Sequence, residues 1–292
     1  MDYGLCLPNF PEGASPEGID AAAEVAERLG WSTVWTTDHV LVPQNAANEY
    51  GHIYEAILTL AWVGARHPRI RLGTSVIVVP QRNAVLLAKE LATLDSLTGG
   101  RVTAGVGVGW NAAEFANIGV GDRFGVRGAY LDETIRLWRH LWSGSTEPFR
   151  GRFHGIEDFV FRPLPVQGAD LPIVIGGRAE PALRRVGALG DGYHSSATGP
   201  DKYAERLPVI RAAAEVAGRP MPSLSARVRV EFGAASDKFY AMRGVPEEIA
   251  AEIRTWAALD VTHLALWFQG TTDPAGLVAA AERFANEVAP LV

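Results

Sequence analysis

The stretch from Arg69 to Asn111, RIRLGTSVIVVPQRNAVLLAKELATLDSLTGGRVTAGVGVGWN, decides the predicted fold. It begins with a β-branched run, Ile70–Val79, of the kind that a strand buried on both faces requires. Pro80 ends this run, and Ala84–Leu97 then carries apolar residues at helical spacing. After two glycines, Val102–Val108 is a second candidate for a buried strand. A strand, a helix and a strand in this order predict a βαβ unit with parallel strands and a right-handed crossover.

The rest of the chain repeats this alternation. Its 292 residues suit a (β/α)8 TIM barrel, for which about 250 residues are typical. A doubly wound open sheet is the alternative, but its G-x-G-x-x-G dinucleotide fingerprint is poorly met, because Gly105–Gly109 reads G-x-G-x-G within and at the end of a strand. We therefore predict one barrel domain over residues 1–292, with a turn-rich, hairpin-like excursion near residues 144–165.

Composition excludes several classes of protein. A formal net charge of −6 argues against a nucleic-acid or anionic-membrane surface, and no apolar run approaches the roughly 20 residues of a membrane span. The single Cys6 excludes an internal disulfide, and no signal peptide is apparent, so we expect a cytoplasmic protein. We expect no metal, because the histidines outside the strand ends do not converge with acidic residues at ligand spacing: His67, His140, His154 and His263.

Barrel active sites lie at the C-terminal ends of the strands, so polar residues there are informative. Asp38 and His39 end the second strand. A carboxylate and an imidazole in that place either bind a polar ring edge and relay a proton, or cap a loop beside a solvated histidine. The other strand ends carry Asn9, Ser75-Val76, Gly107–Asn111, Gly176–Arg178, His194–Ser196, Glu231 and Gln269.

Two glycine-rich turns suggest close approach of a ligand. Gly176-Gly177-Arg178 lies between a strand and a helix, where backbone N–H groups and a helix N-terminus favour a phosphate; a tight turn without a ligand is the alternative. Gly105–Gly109 leaves little side chain beside Trp110, which fits a flat ligand or ordinary packing inside the barrel.

The seventh predicted strand has one polar face. Ser225, Arg227, Arg229 and Glu231 alternate with apolar residues. This pattern suits either a satisfied ion-pair network or an anion-binding wall, and we favour the network.

Four segments together resemble the luciferase-like monooxygenase superfamily, and more narrowly its coenzyme F420-dependent oxidoreductases. They are VWTTDHV at 34–40, RIRLGTSVIVVPQRN at 69–83, LAKELATLDSLTGGRVTAGVGVGWNAAEF at 87–115 and PIVIGGRAEPALRRVGALGDGY at 172–193. The resemblance runs nearly end to end, and the fold that it implies is again a (β/α)8 barrel.

The resemblance also implies roles for individual residues. A non-prolyl cis peptide at Ser75-Val76 would buttress the cofactor ring, and His39 would donate a proton or orient the substrate. Asp38 would contact the polar edge of the ring. The segment Gly107-Val108-Gly109 would border the ring. The phosphate-bearing tail would be held by Gly176, Gly177, Arg178 and Ser195.

One residue departs from the family pattern. Sugar-phosphate dehydrogenases of this family carry an acidic Glu directly after the segment that matches Val108-Gly109, and this chain has Trp110 there. Glu114 follows one helical turn later, and we interpret it as structural. The resemblance therefore favours a hydrophobic substrate walled by Trp110, Trp267 and Phe268.

Three functions follow from the resemblance. The first is hydride transfer between F420 and a small organic substrate. The second is a two-component monooxygenase that uses reduced FMN from a separate flavin or F420 reductase. The third is a flavin-binding barrel without catalysis. The family also implies a homodimer formed through helices near Asn48–Arg66 and Ala84–Leu97.

Overall fold

Eight parallel strands close into a barrel in the computed structural model, which describes residues 1–10, 14–233, 240–268 and 273–292. Each strand pairs with the next, and the last pairs with the first, which confirms the predicted TIM barrel. Gln269 lies outside the described residues. In chain order the strands are β1 (Asp2–Cys6), β2 (Thr33–Thr36), β3 (Arg71–Thr74), β4 (Val102–Gly107), β5 (Ile173–Ile175), β6 (Gly192–Ser196), β7 (Ser223–Phe232) and β8 (His263–Phe268).

Helices of ten residues or more alternate with these strands. They are α1 (Pro16–Arg28), α2 (Ala56–Arg66), α3 (Ala84–Leu97), α4 (Arg127–Trp142), α5 (Glu180–Leu189), α6 (Leu207–Val216), α7 (Pro246–Ala257) and α8 (Pro274–Arg283). The sequence predicts one helix over Asp201–Ala217, but the structure has a short helix, Pro200–Ala204, before α6. Pro208 in the first turn of α6 has no amide hydrogen with which to continue the preceding helix. No helix among the described residues is long and apolar enough to cross a membrane.

The predicted strand Ile70–Val79 is interrupted. β3 ends at Thr74, and the Ser75–Val76 peptide bond is cis, as the resemblance implied. Ile77–Val78 then pairs with the end of β4. The single continuous strand of the prediction is therefore wrong, and the break lies at the mouth of the barrel.

Loops after the strands carry short elements. The excursion near residues 144–165 contains a two-residue antiparallel ribbon between Phe149–Arg150 and Gly155–Ile156, so the predicted hairpin-like excursion is present. The loop Val42–Gly51 holds a short helix, Ala47–Tyr50. The sequence predicts the next helix over roughly Ile53–Arg66, whereas α2 begins at Ala56, where the Glu55 side chain caps it.

A tryptophan fills the lower part of the barrel interior. Trp35 on β2 stacks on His194 with ring centroids 4.5 Å apart, and its Nε1 donates a hydrogen bond to His263 Nε2 at 3.1 Å. Gly73 leaves the room that this ring needs, since a Cβ there would lie 2.4 Å from Trp35. Gly4 does the same from β1, where a Cβ would lie 2.8 Å from the indole nitrogen. The space for a ligand therefore lies at the upper, C-terminal end of the barrel.

Candidate active site

A cavity of about 410 Å³ opens at the C-terminal ends of the strands, within the usual range for small-molecule sites of about 300–1,000 Å³. Residues from six strand ends and one loop surround it. They are Glu49, Tyr50, Ser75, Val76, Trp110, Gly176, Gly177, Arg178, His194, Ser196, Ala197, Arg227, Arg229 and Trp267.

Half of the predicted site residues line this cavity. They are Ser75, Val76, Trp110, Gly176, Gly177 and Arg178. The others lie behind this wall or beside it: Asp38, His39, Gly107, Val108, Gly109 and Ser195. His39 nevertheless contacts two lining side chains, with its ring centroid 4.1 Å from that of Tyr50 and 6.1 Å from that of Trp110.

His39 forms a buried pair with Glu114. The imidazole Nδ1 lies 2.9 Å from Glu114 Oε2, and the other carboxylate oxygen accepts a hydrogen bond from the Val40 amide at 2.7 Å. Burial by itself raises the pKa of the Glu114 carboxyl, but the hydrogen bonds from His39 and Val40 outweigh burial and hold the pKa below its usual range. An ionised carboxylate only accepts, so Nδ1 carries a proton and Nε2 is the nitrogen left for proton exchange. Glu114 thus orients His39, a role that the sequence did not indicate.

The Asp38 carboxylate forms a hydrogen bond and an ion pair with other residues of the protein. Its Oδ2 accepts a hydrogen bond from the Val78 amide at 2.8 Å, and its Oδ1 pairs with Arg82 Nη2 at 2.7 Å. Arg82 also pairs with Glu55 at 2.7 Å. The Asp38 carboxylate therefore holds the segment that follows the cis peptide, and its contact with the polar edge of a ring stays a prediction.

His194 supports the cis peptide from below. Its Nε2 lies 2.9 Å from Ser75 Oγ and its Nδ1 lies 2.8 Å from Ser225 Oγ. Burial, reinforced by the electrostatic influence of the neighbouring His263 and Arg227, lowers the pKa of His194 to about 3. The ring is therefore neutral, and the two hydroxyl groups satisfy both nitrogens.

This buried histidine predicts a pH dependence of stability. Unfolded His194 binds a proton below about pH 6.5 and the folded residue only near pH 3, so stability falls as the pH drops through this window. The free energy of unfolding should fall by up to about 1.4 kcal/mol per pH unit from this group. Urea unfolding between pH 7 and 5 measures it: His194→Asn should show a shallower slope than the wild type, whereas surface His140→Asn should keep the wild-type slope. Equal slopes for the wild type and His194→Asn would contradict a neutral His194.

Glycines make a cradle around Val76. A Cβ on Gly107 would lie 2.6 Å from Val76 Cγ2, and one on Gly176 would lie 3.1 Å from Val76 Cγ1. Gly177 has a φ of 144°, which side-chain-bearing residues rarely adopt, and its carbonyl accepts a hydrogen bond from the Tyr193 hydroxyl at 3.0 Å. The turn is thus held open beside the cavity.

The same turn leads into a helix without a side-chain cap. Ala179 precedes α5 and offers no capping oxygen to its first amides. Arg178 is exposed and has no hydrogen-bond or ion-pair partner among the residues described. A positively charged side chain next to an uncapped helix N-terminus fits a phosphate group.

Ser195 does not line the cavity. Side chains alternate along β6, so that His194 and Ser196 point toward the cavity and Ser195 points to the opposite face. Its hydroxyl is buried and has no hydrogen-bond partner among the described residues. Ser196 and Ala197 line the cavity at this strand end, and the contact between Ser195 and a cofactor tail stays a prediction.

The polar face of β7 is only partly an ion-pair network. Glu231 lies 3.8 Å from Arg243, which is a loose ion pair. Arg227 instead donates hydrogen bonds to Thr37 Oγ1 at 2.8 Å and to the Ser75 carbonyl at 3.2 Å, and it has no carboxylate partner among the described residues. For Arg227 the prediction of an ion-pair network is wrong.

The loop Val42–Gly51 supplies two lining residues that sequence reasoning missed, Glu49 and Tyr50. Their only signal was the richness of that loop in Asn, Gln and Tyr. Among the described residues there is no group of three or more His, Cys, Asp or Glu side chains that could hold a metal ion.

The family model for luciferase-like monooxygenases matches residues 1–286. The chain belongs to that family. Among its relatives is an F420-dependent glucose-6-phosphate dehydrogenase of Kineococcus radiotolerans, 31% identical over 259 residues, or 86% of this chain and 72% of the relative. A protein of the same name from Nocardia farcinica is 31% identical over 286 residues, or 96% of this chain and 81% of the relative. The resemblance inferred from the four sequence segments is confirmed.

Solved structures of this luciferase-like family share the fold. An F420-dependent secondary alcohol dehydrogenase, solved with an F420-acetone adduct, superposes with a TM-score of 0.82 at 19% identity, covering 100% of this chain and 98% of that one. The FMN-bound oxygenating constituent of 3,6-diketocamphane monooxygenase from Pseudomonas putida superposes with a TM-score of 0.80 at 16% identity, covering 99% and 98%. Because F420 and FMN proteins superpose equally well, fold alone does not distinguish the cofactors.

Proposed function

We propose that this protein is an F420-dependent oxidoreductase that transfers a hydride between F420 and a small organic substrate. The observation that carries the proposal is the cavity at the strand ends, one side of which is formed by Val76, Gly176 and Gly177. The two relatives at 31% identity are named as F420-dependent dehydrogenases, which favours F420 over FMN.

The residues present fit this cofactor. Val76 lines the cavity and would pack against one face of a flat ring, and Gly176, Gly177 and Arg178 would hold its phosphate beside the N-terminus of α5. When bound, F420 supplies a ring carbon that accepts or gives a hydride. Asp38 acts indirectly, because it fixes the backbone at Val78 next to this cradle.

His39 would move the proton that accompanies the hydride. When a hydride leaves a carbon that bears a hydroxyl group, the hydroxyl proton must go to a base, and the reverse reaction needs an acid. Nε2 of His39 is available for both, because Glu114 holds the proton on Nδ1. Tyr50 and Trp110 pack against this imidazole and shield it from water.

The substrate would differ from that of the named relatives. Those proteins are glucose-6-phosphate dehydrogenases, whereas here Trp110 stands where the family's sugar-phosphate enzymes carry a Glu. Trp110 and Trp267 both line the cavity. We therefore propose a substrate with a flat apolar part in place of a sugar.

A pair of fluorescence titrations tests the cofactor. The wild-type protein should bind F420 more tightly than FMN, and Arg178→Ala should weaken F420 binding about 10-fold or more through loss of a charge-assisted hydrogen bond. Arg184→Ala is the matched control, because Arg184 lies on the exposed face of α5 and pairs with Glu180. A preference for FMN, with oxygen uptake when reduced FMN is supplied, would support a monooxygenase instead. Binding of neither cofactor would contradict both enzyme assignments.

We also propose that a second copy of the chain covers the apolar faces of α2 and α3. Leu58, Trp62 and Leu86 are exposed there, and Leu58 and Trp62 line an apolar groove of about 320 Å³. Light scattering should give the mass of two chains for the wild type and of one chain for the double variant Leu58→Glu/Leu86→Glu, because two charges would be buried without partners. Val216→Glu is the control, since Val216 is 92% exposed on α6. A wild-type monomer would overturn this proposal.

A further inference from the structure

Two arginines and a tryptophan form one wall of the cavity. Arg227 and Arg229 lie two residues apart on β7, so their side chains project from the same face of the strand. Their guanidinium carbons lie 4.7 and 4.6 Å from the centre of the Trp267 ring on the neighbouring strand β8. We call these three residues the arginine wall.

Arg227 is a buried charge with no anionic partner among the residues that the structure describes. Its side chain is only 8% exposed, and the two hydrogen bonds that Nη1 donates to described residues go to neutral oxygens. Its Nε is buried without a hydrogen-bond partner among the described residues. A buried guanidinium is costly unless it is paired and hydrogen-bonded, so this position favours an anion that enters the cavity.

The charges of the side chains that line the cavity also favour an anionic ligand. Among the described lining residues there are three arginines, Arg178, Arg227 and Arg229, and one carboxylate, Glu49. Burial together with the charge of Arg227 lowers the pKa of Arg229, and a bound anion would relieve this repulsion between the two guanidinium groups.

The arginine wall stands apart from the proposed cofactor cradle. The cradle is built from the ends of β3, β4 and β5, whereas the wall is built from β7 and β8. β7 and β3 are four strands apart in a ring of eight, so they face each other across the barrel. The Arg227 side chain crosses this interior to reach the Ser75 carbonyl. Arg178 lies beside the cradle, whereas Arg227 and Arg229 lie on the opposite side of the cavity.

We propose that the substrate is an organic anion whose carboxylate or phosphate group is bound by Arg227 and Arg229 while its flat apolar part packs on Trp267. This inference rests on the proposed function and specifies its substrate class. Guanidinium groups suit it because they bind planar oxyanions bidentately and stack on aromatic rings.

Calorimetric titrations with three simple probes test the inference. Benzoate, phenyl phosphate and neutral benzamide are titrated separately into the protein with and without bound F420. Benzoate or phenyl phosphate should bind at least about 10-fold more tightly than benzamide, the effect of one charge-assisted hydrogen bond. The stronger of the two anions identifies the oxyanion. Equal binding of benzamide, or binding of no anion, would overturn the proposal.

Substitutions test whether the anion binds at the arginine wall. Arg229→Gln and Arg227→Gln should each weaken anion binding about 10-fold or more, and Arg229→Lys should restore part of it. Arg211→Gln, at an exposed position on α6, should have no effect. Arg229→Gln remains informative if loss of the Arg227 contact to Ser75 disturbs folding.

The affinity for F420 separates the two hypotheses. It should be unchanged in Arg229→Gln, and a loss of F420 binding without a loss of benzoate binding would assign these arginines to the cofactor and overturn the proposal. Failure of the wild type to bind F420 would contradict the proposed function, while the anion titrations on the unloaded protein would still decide the charge preference of the wall.

Discussion

Replacing His39 with asparagine is expected to lower kcat by about 10²–10⁴-fold, the usual contribution of a general acid or base. Asparagine keeps a polar side chain near Glu114, but it cannot take up or release a proton at neutral pH. The affinity for F420 should remain unchanged, because His39 is not among the residues proposed to hold the cofactor, Val76, Gly176, Gly177 and Arg178. The measurement is the rate at which F420 is reduced, or reduced F420 reoxidised, by a substrate found in a screen of organic anions.

A second histidine provides the control for this experiment. His140 lies on α4, where its Nε2 bonds to the Glu147 carbonyl at the surface, so His140→Asn should retain the wild-type kcat. Unchanged turnover in His39→Asn would show that the proton moves by another route. If the wild type binds F420 and turns over no member of the screen, the third hypothesis, a flavin-binding barrel without catalysis, becomes the better account.

The barrel could be predicted because its signals are local. The repeat of apolar residues in each strand and helix can be recognised within a window of about 11–18 residues. Pro80, Gly99 and Gly100 mark the boundaries of elements within the stretch from Arg69 to Asn111. The resemblance then located the cis peptide at Ser75–Val76, which no periodicity indicates. Boundaries failed where a side chain rather than periodicity decided them, as with the Glu55 cap of α2.

The site was harder to predict because its contacts are not local. His39 and Glu114 are 75 residues apart, and they meet because they follow β2 and β4, which are separated only by β3 in the barrel. Asp38 is next to His39 in sequence, but neighbouring side chains leave the backbone in different directions, and Asp38 meets Arg82 instead of the cavity. A sequence reveals that such a residue is charged, whereas the fold decides which partner it meets.

The polar face of β7 was also hard to predict because its contacts are not local. Alternation of Ser225, Arg227, Arg229 and Glu231 correctly indicates a polar face inside a barrel. Whether that face is internally neutralised depends on the opposite elements, and Arg227 meets Thr37 and the Ser75 carbonyl rather than a carboxylate. The alternative left open by the pattern, an anion-binding wall, is the one that the geometry of Arg227 favours.

Replacing Trp35 with alanine is expected to lower the free energy of unfolding by about 3–5 kcal/mol, the usual effect of removing a buried aromatic ring. The ring is 4% exposed, stacks on His194 and donates a hydrogen bond to His263, so its removal leaves both a cavity and an unpaired nitrogen. Guanidinium chloride unfolding measures the loss. Trp110→Ala is the matched control, because Trp110 is 63% exposed and its removal should change stability by less than about 0.5 kcal/mol.

A double-mutant cycle tests whether the interior is packed as described. Gly73→Ala should destabilise the wild type by about 1–3 kcal/mol, because the added Cβ would lie 2.4 Å from the Trp35 ring. In the Trp35→Ala background the same methyl group enters empty space, so the penalty should disappear and the two changes should not be additive. Additive effects would show that Gly73 is required for another reason. Strong coupling would show that the residues below His194 fit one another as a unit, and this unit holds Ser75 at the floor of the cavity.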